Sequence, residues 1–401
     1  VALFSVGDPL GRTVTMARDA LSRVTQSKDP ANKQTDFIFD AVGNVTQVKD
    51  ALNGITAAAF QAGRIGRQPS SVTDANSHAT SFAYDILGRL TSVSNALNQS
   101  ASVSYNGNSW PTSFTTRGGQ TITLAYDSLG RPTQIATPEG NVTLAYDSTG
   151  RLTSANSFNG TALAMTYDTL DRVTHEVQTL PNGFQATLDR TYDANGNQTR
   201  LTSPWGDFTY AYDSLDRLTR TINPAGQTVT FTNDAVGRRT AMGYPNGTAT
   251  SYGFDAAGQI AQIVHRKTSD QSVIAFTNYT HDNSGNRTVI EDAHGTNTYG
   301  YDQLNWLTSA SHPGASTLPI KEETFAYDSI GNRLTDSLRA NYVYDAANRI
   351  VSDSSFTYTT NANGNVVTRT SRASGYMETF IYDSGNRMVE VNGPAGVIAA
   401  Y

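Results

Sequence analysis

Hydrophobic and polar residues alternate along most of this chain, and the alternation breaks off at regular intervals. Ile122, Leu124 and Tyr126 fall on one side of an extended segment, as do Val142, Leu144 and Tyr146, and again Phe208, Tyr210 and Tyr212. A period of two is the signature of a β-strand. Each such run ends in the same unit, aromatic-Asp-x-x-Gly-Arg-Leu-Thr. It is legible in Tyr84-Asp85-Ile86-Leu87-Gly88-Arg89-Leu90-Thr91 and in Tyr212-Asp213-Ser214-Leu215-Asp216-Arg217-Leu218-Thr219.

Clear copies begin at Phe39, Tyr84, Tyr126, Tyr146, Tyr167, Tyr192, Tyr212, Phe254, Tyr301, Tyr327, Tyr344 and Tyr382. The underlying period is about 20 residues. Degenerate copies at Arg18, Phe60, Tyr105, Asn233, His281 and Thr360 fall where that period places them. Residues 1–401 therefore read as one continuous array without an internal linker.

The slots follow from turn chemistry. The Asp slot is filled by Asp40, Asp85, Asp127, Asp147, Asp168, Asp193, Asp213, Asp255, Asp302, Asp328, Asp345 and Asp383. Asp suits the first position of a turn because its carboxylate accepts the backbone N–H two residues on. The Gly slot holds Gly43, Gly88, Gly130, Gly150, Gly196, Gly258 and Gly331, and elsewhere Asp171, Asp216, Asn305, Asn348 and Asn386. These are the residue types that best tolerate φ > 0, as a short loop closing on a G1-type bulge requires. Ser22, Arg64 and Ser109 depart from that set. The next slot holds Arg89, Arg131, Arg151, Arg172, Arg217, Arg238, Arg349 and Arg387. Its spacing predicts a cross-strand stack with the Asp slot, as exposed and therefore weak charge pairing.

A second turn sends the chain back. Pro138-Glu139-Gly140, Pro181-Asn182-Gly183, Pro204-Trp205-Gly206, Pro224-Ala225-Gly226 and Pro245-Asn246-Gly247 place Pro second and Gly fourth. The expected fold class is all-β: tandem antiparallel β-hairpins in a long meander, with strands of about five to eight residues. Roughly 38 strands at ~4.8 Å give a sheet edge of ~180 Å, far beyond what an open flat sheet sustains. Accumulated twist must coil it into a hollow, curved or spiral wall. Ala51 to Phe60 is the one Ala-rich run that hints at helix.

Composition adds exclusions. Only 16% of residues are charged, and the chain has 20 tyrosines and 33 glycines, the balance of a strand-and-turn protein. A net charge of −6 without a basic block argues against nucleic acid. No window of about 18 apolar residues predicts a membrane span. There is no cysteine, hence no disulfide framework. No signal peptide is read at Val1-Ala2-Leu3-Phe4. The segments Asp193-Ala194-Asn195-Gly196-Asn197 and Asp282-Asn283-Ser284-Gly285-Asn286 have the flavour of a calcium loop but lack its sixth-position Gly and twelfth-position Glu. The six histidines are scattered, and Glu322-Glu323 reads as a solvated loop. No catalytic, cofactor or metal residue is expected.

The Tyr-Asp-x-x-Gly-Arg-Leu-Thr unit resembles the YD or RHS (rearrangement hotspot) repeat, and the resemblance runs the length of the chain. That family includes bacterial polymorphic toxins, components of insecticidal toxin complexes, bacterial wall-associated proteins and the teneurins. The resemblance implies a spiral, hollow β-shell that in bacterial members encloses a C-terminal toxin domain. It implies a secreted or cell-surface protein whose partners are its neighbouring repeats and that cargo. The family's Asp-Pro-x-Gly-Leu motif, whose aspartates support self-cleavage, does not occur here. The scaffold role carries over and no catalytic residue does. The chain reads as a fragment truncated at both ends, because the run Val397, Ala399, Tyr401 ends in an aromatic slot. The alternative is a surface adhesion array whose aromatic and Asn-rich turns contact carbohydrate.

Overall fold

The computed structural model describes residues 2–61, 68–312 and 321–400. The readings made for Val1, Arg64 and Tyr401 lie outside them. Among the described residues there are 39 strands and no helix. The strands run from two residues, as in Ala326–Tyr327, to nine, in Val273–His281. The Ala-rich run contributes the strand Ile55–Phe60, where its β-branched and aromatic ends meet the alternating pattern of its neighbours. Two compact units are formed, one by residues 122–278 and one by residues 1–121 with 279–401.

In the unit 122–278 each strand pairs antiparallel with the next. Gly140–Tyr146 runs against Leu152–Ser157, with Val142 opposite Ser157 and Leu144 opposite Ala155. The register then slips, because Ala145 faces Ser154 while Tyr146 faces Leu152, which leaves Thr153 as an extra residue. The same slip precedes Tyr126, Tyr167, Tyr192, Tyr212 and Phe254. The repeat's closing Thr, replaced by Ala261 after Phe254, is thus a β-bulge, which bends the strand and adds twist. Its hydroxyl is used as well: Thr219 Oγ1 donates to the Ala211 carbonyl across the pair at 3.0 Å.

The return turns are of two kinds. Pro138-Glu139 and Pro204-Trp205 are two-residue hairpin loops, closed by the pairs Thr137–Gly140 and Ser203–Gly206. At Pro181, Pro224 and Pro245 the loop is longer, and Gly183, Gly226 and Gly247 donate to the carbonyls of Leu180, Asn223 and Tyr244.

The other unit is built the same way, from Ala2–Gly7 to Pro111–Thr115 and again from Arg287–Asp292 onward. Between Glu322 and Ser352 its strands shrink to two or three residues, and pairing divides into an isolated two-stranded ladder and a seven-stranded sheet that starts at Val343. The cause is spacing: Tyr327 and Tyr344 are only 17 residues apart, too few for two full strands and two turns. Glu322 and Glu323 are not in a loop. They belong to the strand Glu322–Thr324, paired with Leu307–Ser311, where Ser311 Oγ donates to Glu322 at 2.6 Å.

Neither unit has a thick core. Val264 and Ala310 are the fully buried hydrophobic residues among those described. The chain exposes 22556 Å², against about 15,000 Å² for a compact protein of its mass. The alternation puts Ile122, Leu124 and Tyr126 on the half-buried face of a single sheet layer, with Thr121, Thr123 and Ala125 opposite. Stability in such a layer comes from each strand's contact with the next.

Candidate functional site

With so little core, the polar groups at the turns carry the order of the array. Asp127 shows how. Its N–H donates to the Arg131 carbonyl, and its own carbonyl accepts from Gly130 N–H. Its Oδ1 accepts from the backbone N–H of Leu129 and of Arg131, at 2.9 and 3.0 Å. Its Oδ2 accepts from Arg131 Nε at 2.6 Å. One carboxylate closes the loop, and both its oxygens are used.

The arginine then reaches forward. Arg131 Nη1 donates to the Asp147 carbonyl of the following turn, and its guanidinium lies 4.8 Å from the centre of the Tyr146 ring. Tyr146 answers by donating its hydroxyl back to the Pro132 carbonyl at 2.9 Å. This repeat is clasped to the next by an arginine–carbonyl hydrogen bond, a cation–π contact and a tyrosine hydrogen bond. Arg23 with Phe39, Arg89 with Tyr105, Arg151 with Tyr167, Arg172 with Tyr192 and Arg238 with Phe254 repeat the ring contact at 4.5 to 4.9 Å.

Asp40, Asp85, Asp147, Asp168, Asp193, Asp213, Asp255, Asp302, Asp328, Asp345 and Asp383 all head turns with these two backbone bonds. Gly43, Gly88, Gly150, Gly196, Gly258 and Gly331 sit at φ between 79° and 95°. Asp171, Asp216, Asn305, Asn348 and Asn386 sit at 58° to 65°. Ser22 and Ser109, which depart from the residue preference, take the same left-handed conformation at 62° and 65°. The two backbone bonds impose it whatever the side chain.

The arginines are placed otherwise than the spacing suggested. Arg89, Arg151, Arg172, Arg217, Arg349 and Arg387 pair with the aspartate of their own turn, four residues back, and Arg151 also reaches Asp171 of the following turn at 2.9 Å. Most are half-buried against the next repeat; Arg387 is the exposed exception. Gln259 and Trp306 occupy the slot after Gly258 and Asn305, and Trp306 keeps the forward contact through its ring, 5.5 Å from Tyr327. The hydroxyls of Tyr84, Tyr167, Tyr192, Tyr212, Tyr301, Tyr327 and Tyr344 donate back to carbonyls of the preceding unit.

The electrostatics follow. The Arg131 N–H and guanidinium hold the Asp127 carboxyl below its ordinary value. The Arg217 guanidinium does the same to Asp213. Burial alone would raise Asp345, but the bonds from Arg349 outweigh it. Asp193 and Asp282, heads of the calcium-like segments, spend their oxygens on the Asn197 and Asn286 amides and on backbone N–H groups. Among the described residues no three of His, Asp and Glu gather as metal ligands.

Two features escaped sequence reasoning. The first is that the return turns reuse the same device. Asp8, Asp29, Asp50, Asp74 and Asn95 head them, with Gly11, Asn32, Asn53, Ser77 and Asn98 at positive φ. The pattern was in the sequence, without the flanking aromatic. The second is a seam within the unit 1–121 plus 279–401. Lys33 Nζ donates to the Asp302 carbonyl at 3.0 Å and to Asn305 Oδ1 at 2.6 Å. Asn76 Nδ2 donates to Asp328 Oδ2, Asn348 Nδ2 to Asp74 Oδ2, and Gly118 N–H to Asn363 Oδ1. Bonds between residues 245 or more apart leave no periodic mark in the sequence.

Such a ladder of clasped hairpins defines a β-shell repeat protein, and comparison with known proteins agrees. The teneurin YD-shell family model matches residues 139–279, and the RHS repeat model matches residues 65–99 and 105–142. Together the two matches cover residues 65–99 and 105–279, and that stretch of the chain carries repeats of the RHS/YD type. Its fold is similar to that of the Photorhabdus luminescens Tc holotoxin pore, with a TM-score of 0.69 at 17% identity over 95% of this chain and 26% of that one. The TcdB2-TccC3 complex matches with a TM-score of 0.56 at 14% identity, over 95% of this chain and 28% of its own. Double-stranded DNA deaminase toxin A of Burkholderia cenocepacia (strain H111) is 29% identical over 118 residues, 29% of this chain and 8% of that protein. The chain thus spans about a quarter or less of these relatives' length. Among the described residues no helix is long and apolar enough to cross a membrane.

Proposed function

We propose that this chain is a non-catalytic wall segment of a toxin-delivery shell. The wall encloses a C-terminal toxin domain lying outside the present sequence and helps deliver it from a secreted or surface-held protein. The observation that carries this reading is the clasp. Each repeated Asp and Arg that could serve chemistry is committed to closing a turn or holding the next repeat. The single-layer construction supports it too, since a sheet with one half-buried face and no second layer suits a wall around contents. Likeness to shells of toxin complexes adds the context of a carried toxin.

The test uses the protein made from its full coding sequence. Limited proteolysis should leave a resistant cargo domain while the wall is intact. Breaking clasps with Asp127→Ala, Asp168→Ala and Asp213→Ala together should expose that cargo to the protease. A cargo equally sensitive in both proteins, or no domain beyond the repeats, would overturn the reading. Binding of the intact array to a panel of surface glycans, with no cargo, would favour adhesion instead.

A further inference from the structure

The return turns headed by Asp8, Asp29, Asp50, Asp74 and Asn95 close in one way. A side-chain oxygen of the head takes the N–H groups two and four residues on, as Asn95 Oδ1 does from Leu97 and Gln99. Thr116 heads the next return turn and breaks this rule. Its Oγ1 accepts from Gln120 N–H at 3.3 Å. The Gly118 N–H, which an aspartate would have taken, crosses the seam to Asn363 Oδ1 at 2.7 Å. Arg117, between them, is left with nothing. Its Nε is buried without an acceptor, and among the described residues no carboxylate pairs with it. Other arginines fare differently. Arg131 places the same nitrogen on Asp127 at 2.6 Å. Arg190, whose Nη1 is also orphaned, is held by Glu176 at 2.8 Å through its other terminal nitrogen. A buried donor without a partner is rare enough to need a cause.

The cause lies beside it. Arg117 lines a cavity of about 250 Å³ in the seam, with Asp74 and Asn95 on its own side and Asn348, Arg349 and Asn363 on the other. The two walls are bonded to each other, Asn348 to Asp74 at 2.9 Å and Gly118 to Asn363, so the cavity is made by repeats of this sequence. Its charges are unequally engaged. Asp74 spends Oδ1 on the N–H groups of Asn76 and His78, and Oδ2 on Asn348. Arg349 is tied to Asp345, to Gln99 and to the Asn361 carbonyl. Arg117 brings its charge without a partner. The amides of Asn95, Asn348 and Asn363 donate one N–H each, to Gln99, Asp74 and Gln120, and have a second to offer.

We propose that this cavity binds a small oxyanion, a carboxylate or phosphate group, anchored by Arg117 and surrounded by the remaining amide N–H groups. The planar guanidinium matches either group through two parallel hydrogen bonds. A cavity of about 250 Å³ is smaller than the usual site for a drug-sized ligand, which favours a phosphate or a single acidic sugar. The bound anion joins the turn of Thr116 to the facing turns of Asp345 and Asn361, so it also fastens the seam.

Isothermal titration of the whole chain tests this, with inorganic phosphate and glucuronate as probes and glucose as the uncharged control. At least one anion should bind, at one site per chain, and glucose should not. Phosphate alone would identify a phosphate site, glucuronate alone an acidic-sugar site, and both a general oxyanion site. Arg117→Gln should weaken binding at least about tenfold, Arg117→Lys by less, and Arg220→Gln, at an exposed arginine elsewhere, not at all. The melting temperature separates this role from a structural one. The anion should raise it in the parent and not in Arg117→Gln. Without anion Arg117→Gln should melt no lower than the parent, since it removes a buried donor that has no partner. Failure of both anions to bind, or binding that survives Arg117→Gln, would overturn the proposal. So would an Arg117→Gln chain that melts below the parent in the absence of anion, because the guanidinium would then be a prop of the fold.

Discussion

The guanidinium of Arg131 lies 4.8 Å above the ring of Tyr146 while its Nε holds Asp127 at 2.6 Å. One side chain thereby ties the turn it belongs to and the repeat that follows. An Arg does this and a Lys cannot, because the planar fork serves the carboxylate along one edge while its face covers the ring. A double-mutant cycle of Arg131→Met with Tyr146→Leu should give a coupling of about 1 kcal/mol. Hydrogen exchange in the Arg131→Met chain should speed up in both turns it bridges, at Asp127 and at Asp147. Strict additivity would reduce the contact to coincidence.

Gly237 stands at φ 89° with nothing within 4 Å of where a Cβ would lie, so a substitution there meets only backbone strain. Gly237→Val should lower stability by more than about 1 kcal/mol, and Gly237→Asn by clearly less. The chain itself uses Asn at φ 60° in the same slot at Asn348. Thermal melts of the two variants decide the matter, and equal losses would refute the turn assignment.

Asp353 is 1% exposed, yet it is fully engaged. Its carboxylate accepts from the N–H of Ser355 and Phe356, from the Tyr358 hydroxyl at 2.8 Å and from Arg339 at 3.3 Å. Burial and the bond to Asp353 push the Tyr358 hydroxyl up to about 12. Asp353→Ala strands those donors and should cost more than about 2 kcal/mol. Tyrosine absorbance on alkaline titration should show one residue titrating earlier than in the parent.

Acid should open the array. The carboxyls of Asp85, Asp127, Asp168, Asp213 and Asp234 titrate below the ordinary 3.8 in the folded chain. A depressed folded value means that their contribution is complete above 3.8 and is lost as the pH falls through the lower folded values. The melting temperature should be steady from about pH 7 to about pH 5 and fall steeply below about pH 4. A flat profile to about pH 2 would show that the turns hold without charge.

The sequence made the hairpins legible because their determinants are local. Asp127 to Arg131 span five residues, and the alternation of Ile122, Leu124 and Tyr126 needs no distant partner. Even the left-handed slot could be read from the company of Asp171 and Asn305. The role of the arginines could not, since a spacing of four residues does not say whether Arg151 turns back to Asp147 or across to Tyr167, and it does both. The bulge at Thr153 was hidden because a Thr there looks like any strand residue. The seam was out of reach altogether, because Lys33 and Asp302 meet only once the curvature of many strands has brought them together.

The interchangeable chemistry of the seam bears on inheritance. Asp29, Asp74 and Asn95 on one side, and Asp302, Asp328 and Asp345 on the other, are turns of one design. A gene that gains or loses a hairpin by unequal crossing-over keeps its clasps and merely slides the facing turns by one place. The new neighbours offer nearly the same donors and acceptors as the old. Such a chain can change length in whole hairpins across generations without passing through a misfolded ancestor, whereas losing a single residue within a strand would turn its apolar face outward.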